Sequence, residues 1–97
     1  MSRDQILALL SQALPELKAK YGLAGLSVFG SAARDEAGAG SDVDILAEYA
    51  GPVSLRAFMG LKTDLEGRLG VPVDLVTPAA LKPRLRAAIQ RDLLRVS

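Results

Sequence analysis

Two aspartates separated by a single residue, Asp42 and Asp44, open directly onto the apolar run Ile45-Leu46-Ala47. This juncture constrains the chain more than any other stretch. Side chains alternate along a β-strand, so acids two residues apart project from one face. Two carboxylates held that way repel each other unless a cation or a proton lies between them. Upstream, the apolar Val28-Phe29 runs into Gly30-Ser31, and a polar linker then leads to the acids. Together these features point to a magnesium-type metal site facing a phosphate-binding Gly-Ser loop.

Composition narrows the chemistry further. The chain has neither cysteine nor histidine. Disulfides, thiolate metal sites, a cysteine nucleophile, a Ser-His-Asp triad and histidine-ligated zinc are therefore excluded. Carboxylates, hydroxyls, lysine and arginine remain, and hard oxygen ligands suit magnesium or manganese. A net charge of +1 rules out a general polycation, so no direct nucleic-acid partner is expected. The 97 residues, 49% of them apolar, predict one domain over residues 1–97 with a modest core. No apolar run reaches the ~20 residues of a membrane helix, and the start is unlike a signal peptide. A cytoplasmic protein without a membrane partner is the expectation.

Local signals set the element order. Ser2 and Gln5 form a capping box ahead of a helix with an apolar stripe from Ile6 to Leu17. Pro15 predicts a kink or two abutting pieces, and Gly22 closes the helix. Leu26–Phe29 reads as a strand, Ala32–Ala37 as one or two helical turns, and Gly38, Gly40 and Ser41 as a loop. Val43–Tyr49 is the second strand. Ser54 caps a helix that ends at Gly70. Val71–Val76 is the third strand, with Pro72 delaying its start or marking an edge. Thr77-Pro78 reads as an N-cap and first helical position. A last helix from Pro83 carries an apolar side that reaches Val96 and a second side with Arg84, Arg86, Arg91 and Arg95. The expected architecture is a small α/β (α+β) domain, with a mixed three-stranded sheet packed by about four helices.

Asp74 is the single charge of the third strand, and burying a charge without a partner is costly. Sequential strands joined by short connections tend to be neighbours, which would carry Asp74 to Asp42 and Asp44. Three such carboxylates suit a magnesium site for phosphoryl or nucleotidyl transfer. Gly30, lacking Cβ, would let the backbone approach a triphosphate, with the Ser31 hydroxyl as donor.

Gly30-Ser31, ten intervening residues and Asp42-Val43-Asp44 resemble the signature of minimal nucleotidyltransferases, within the polymerase beta-like superfamily. Phe29, Ala33-Arg34, Glu36 and Ser41 fit the surrounding pattern, and the likeness covers nearly the whole chain. The resemblance implies a nucleotidyltransferase fold and assigns two magnesium ions to Asp42, Asp44 and Asp74. It makes Asp74 an aid to deprotonation of the acceptor hydroxyl, and it puts Gly30, Ser31, Arg34 and Ser41 on the nucleotide. Small members of this family resemble antitoxins of prokaryotic two-gene modules, which transfer AMP from ATP to a tyrosine of a HEPN-type RNase toxin. A chain this short would hold the catalytic core, and the toxin would supply the acceptor. The competing reading is a binding module that neutralises its partner without catalysis. Asp35 favours it, because many relatives have glycine there and a further negative charge would oppose a triphosphate.

Overall fold

The computed structural model describes residues 1–36 and 42–97. Helix α1 spans Arg3–Tyr21. The Ser2 Oγ accepts from the Gln5 amide at 3.2 Å and Gln5 Oε1 accepts from the Ser2 amide at 2.8 Å, which completes the capping box. A cap of this kind contributes about 1 kcal/mol. Of the two outcomes expected at Pro15, a kink or two abutting pieces, the second is not what forms: α1 is one segment with Pro15 inside it. Pro15 and Ser11 lie on the exposed side, where water can hydrate the carbonyl that proline leaves unpaired. The buried stripe of Ile6, Leu10, Ala13, Leu14 and Leu17 continues past it on the other side.

Strand β1 is Leu23–Phe29, longer than the sequence suggests, and helix α2 is a single turn, Gly30–Ala33. Ala37 and the loop assigned to Gly38, Gly40 and Ser41 lie outside the described residues. Strand β2 is Val43–Tyr49. Helix α3 is Leu55–Leu69, capped by the Ser54 hydroxyl and closed by left-handed Gly70. Strand β3, Val73–Val76, starts after Pro72 and lies at a sheet edge. Pro78–Ala80 forms one 3-10 turn in which the Thr77 side chain makes no capping bond. Helix α4 is Pro83–Asp92.

The chain then departs from expectation. The last helix stops at Asp92, and Leu94–Arg95 forms a fourth strand, β4, giving a sheet of order β3-β2-β1-β4. The three-stranded sheet is thereby corrected to four. β2 occupies one edge of β1, and the free backbone groups on the other edge pair with the chain's last residues. Val96 N donates to Leu26 O at 2.8 Å, which satisfies groups that a helical end would leave open.

β1 is antiparallel to β2 and β4, whereas β2 and β3 are parallel, so the sheet is mixed. Leu26, Val28, Val43, Ile45, Val73 and Leu75 share one core cluster with the stripes of α1 and α3. Alternation therefore turns Ser27, Phe29, Asp44, Leu46 and Asp74 to the opposite face. α4 packs mainly against β1 and α2, away from the α1–α3 layer. Among the described residues no helix is long and apolar enough to cross a membrane.

Candidate active site

The site begins where β1 stops. Phe29 is extended, and Gly30 turns the chain at φ 71°, a left-handed conformation that favours glycine. A Cβ built on Gly30 would run into the Asp44 carboxylate. Only a residue without a side chain lets that carboxylate lie against the turn. Among the described residues no side chain makes a capping hydrogen bond at the start of α2. The turn is pinned from behind: Arg34 N donates to Gly30 O at 3.2 Å and Glu36 N to Ser31 O at 2.8 Å.

The carboxylates arrive on β2 and β3. The parallel register sets Asp44 directly beside Asp74, and the antiparallel register sets Phe29 beside Asp44. The expected adjacency of Asp74 and Asp44 is thus met on the face opposite the main core. Asp42 lies just ahead of β2 and is exposed. Asp44 has its pKa raised from 3.8 to about 6. Burial is the main cause, followed by the negative charges of Asp74 and Asp42 and by a hydrogen bond to Asp74 open only to the protonated acid; Arg34 opposes them. Among the described residues no three carboxylates are gathered tightly enough to hold a metal ion as they stand. The donor set nevertheless fits a hard cation: oxygen ligands only, and an acid pair whose mutual repulsion a divalent charge would relieve.

Arg34 ends the α2 turn. Its Nε meets Glu36 Oε2 at 3.0 Å and its Nη1 meets Asp92 Oδ2 at 2.5 Å. Asp35 follows in the left-handed region at φ 60°. Its Oδ1 accepts from the Arg3 amide at 2.8 Å, at the first turn of α1. The Asp35 charge is therefore spent on a helix N-terminus, where an anion is favourable. Ser41, expected on the nucleotide, lies outside the described residues.

Two contributors escaped the sequence. Glu66, on the last turns of α3, accepts from Val73 N at 2.9 Å through Oε2 and so fixes the start of β3, one residue before Asp74. Asp92, only 8% exposed at its side chain, anchors Arg34. Asp92 carried one signal: it is the only acid after Asp74. Elsewhere, a shallow depression of about 550 Å³ between α1 and α3 is organised by Tyr21, whose hydroxyl donates to Asp64 at 2.9 Å. None of the expected site residues lines it.

Residues 10–96 match the family model described as a nucleotidyltransferase domain. The protein adenylyltransferase MntA of Thermococcus cleftensis is 35% identical over 96 residues, spanning 99% of this chain and 97% of that protein. A solved structure named for a minimal nucleotidyltransferase is 38% identical, with a TM-score of 0.79 over 97% of this chain and 95% of that one. At 20% identity, a structure of a tri-AMPylated Shewanella oneidensis HEPN toxin in complex with MNT antitoxin shares the fold. Its TM-score is 0.68, over 94% of this chain and 71% of that one.

Proposed function

Since the chain belongs to the nucleotidyltransferase domain family, we propose that it transfers AMP from ATP to a tyrosine hydroxyl of a partner HEPN-type toxin and thereby neutralises it, in the cytoplasm of a prokaryote. The observation that carries this reading is the pairing of Asp44 with Asp74 on one sheet face, with the Asp44 carboxylate lying against the Gly30 turn. A nucleotidyl transfer needs a phosphate cradle and oxygen ligands side by side, and the nearness of the Gly30-Ser31 turn to the Asp44–Asp74 pair supports that reading.

Asp42, Asp44 and Asp74 would hold magnesium, which supplies Lewis-acid polarisation of the phosphate and neutralises the leaving charge. The Gly30-Ser31 turn offers its amides and the Ser31 hydroxyl to the β- and γ-phosphates. Arg34 adds a fixed positive charge behind them. Asp74, on an edge strand and exposed, is open to the acceptor. It takes the tyrosine proton as the phenolic oxygen bonds to the α-phosphorus and the bond to the bridging oxygen breaks, releasing pyrophosphate. Two features of relatives support the acceptor: the naming of the Thermococcus protein as a protein adenylyltransferase and the AMPylated toxin of the Shewanella complex.

The competing non-catalytic reading loses its supporting residue, because Asp35 is hydrogen-bonded to the α1 N-terminus. The test is to incubate the protein with ATP, magnesium and the product of its neighbouring gene, and to read the intact mass of that product. Added adenylyl mass, absent with the Asp42→Ala and Asp44→Ala variants, is the expected result. A stable complex without mass change would leave only the binding role.

A further inference from the structure

Among the ion pairs of the described residues, Arg34–Asp92 joins the parts of the chain farthest apart in sequence. Asp92 ends α4, Arg34 ends the phosphate turn, and 58 positions separate them. Asp92 is also the most buried carboxylate in any of these pairs, with a side chain 8% exposed. A charge so buried is tolerated only with a close counter-charge, and Arg34 supplies it; Arg91 Nε approaches the same oxygen at 3.6 Å.

The pair leaves the guanidinium held on two edges. Glu36 takes Nε and Asp92 takes Nη1, while Nη2 has no hydrogen bond among the described residues. The Arg34 amide is itself tied to Gly30 O. A planar fork fixed at two points keeps its remaining N–H groups in a set direction, which reduces the side-chain entropy lost when an anion binds.

We propose that Asp92 is a positioning residue for the nucleotide: it holds Arg34 so that the unpaired part of the guanidinium meets a bound triphosphate. The inference rests on reading this site as a triphosphate site. It also gives α4 a purpose beyond covering the sheet, since the helix carries this anchor at its last residue.

The experiment is a double-mutant cycle on ATP affinity, measured by titration calorimetry with magnesium and no acceptor protein. It uses the full chain as wild type, Asp92→Asn, Arg34→Ala and the double variant, each with a thermal melt. Asp92→Asn keeps the shape of the side chain, and Asp92→Ala serves as a second probe. Each single variant is expected to weaken ATP binding about tenfold, the worth of one charge-assisted hydrogen bond. The double variant is expected to bind like Arg34→Ala alone. Losses that multiply, an Asp92→Asn affinity equal to wild type, or a lowered melting temperature with unchanged affinity would each overturn the proposal. A wild type that does not bind ATP would instead remove the triphosphate reading, and this inference with it.

Discussion

Asp44 and Asp74 stand side by side on parallel strands, and the Asp44 carboxylate also rests against Gly30. One residue therefore belongs both to the acid pair and to the surroundings of the Gly30-Ser31 turn. Under the proposed function, its position would couple stability, metal affinity and catalysis.

The first consequence concerns Gly30. Gly30→Ala meets both left-handed strain and the Asp44 carboxylate, for a combined loss of about 2–4 kcal/mol. Gly22, at φ 67° with nothing near a built Cβ, is the matched control. Gly22→Ala suffers only the strain, about 1–2 kcal/mol. Urea denaturation of both variants measures the difference, and equal losses would mean that Asp44 yields freely.

The second concerns pH and magnesium. Folded Asp44 titrates near 6, above its ordinary 3.8, so protonation favours the fold. That stabilisation is fully present below 3.8 and is lost as pH rises through about 6. Added magnesium is expected to raise the melting temperature near neutral pH and to do little below about pH 4, where protons occupy the site. Asp44→Asn is expected to melt higher than the metal-free wild type at neutral pH and to lose the magnesium response. A magnesium response of equal size in Asp44→Asn would put the ion elsewhere.

Asp35 yields a prediction of opposite character. Asp35→Ala keeps the left-handed strain but deletes the bond to the Arg3 amide, so stability falls by about 1 kcal/mol. Asp35→Gly loses the same bond but sheds the strain, and it is expected to stay within about 0.5 kcal/mol of wild type. Neither change is expected to alter ATP affinity. Tighter ATP binding by Asp35→Ala, measured by calorimetry, would show the carboxylate acting on the nucleotide after all.

Glu66 supplies the acceptor for Val73 N on the open side of an edge strand. Glu66→Ala leaves that amide to water and loosens β3, costing about 1–2 kcal/mol and reducing turnover more than ATP affinity. Glu66→Gln keeps a carbonyl acceptor and is expected to restore most of both. Hydrogen exchange at Val73 reads the local effect directly.

The readable part of the fold is the part governed by local rules. Ser54 and Gly70 bracket α3 because caps act within one turn, and Asp42, Asp44 and Asp74 are visible because strand alternation has a period of two. β4 is hidden, since two residues carry no periodicity and Leu93-Leu94-Arg95-Val96 suits a helix equally well. α1 runs through Pro15 because packing of its buried stripe outweighs one lost hydrogen bond. The polar supports of the site were also out of reach. Arg3–Asp35 and Arg34–Asp92 join residues 32 and 58 positions apart, so they exist only once the sheet has brought the two ends of the chain together.

The most direct measurement follows the α-phosphate. The protein is mixed with the proposed HEPN-type partner, magnesium and ATP labelled at that phosphorus, and protein-bound label is counted by gel. Label on the partner, with pyrophosphate released and both lost in Asp44→Ala and Asp74→Ala, is the predicted result. A stable complex with all of the label still in free nucleotide would contradict it.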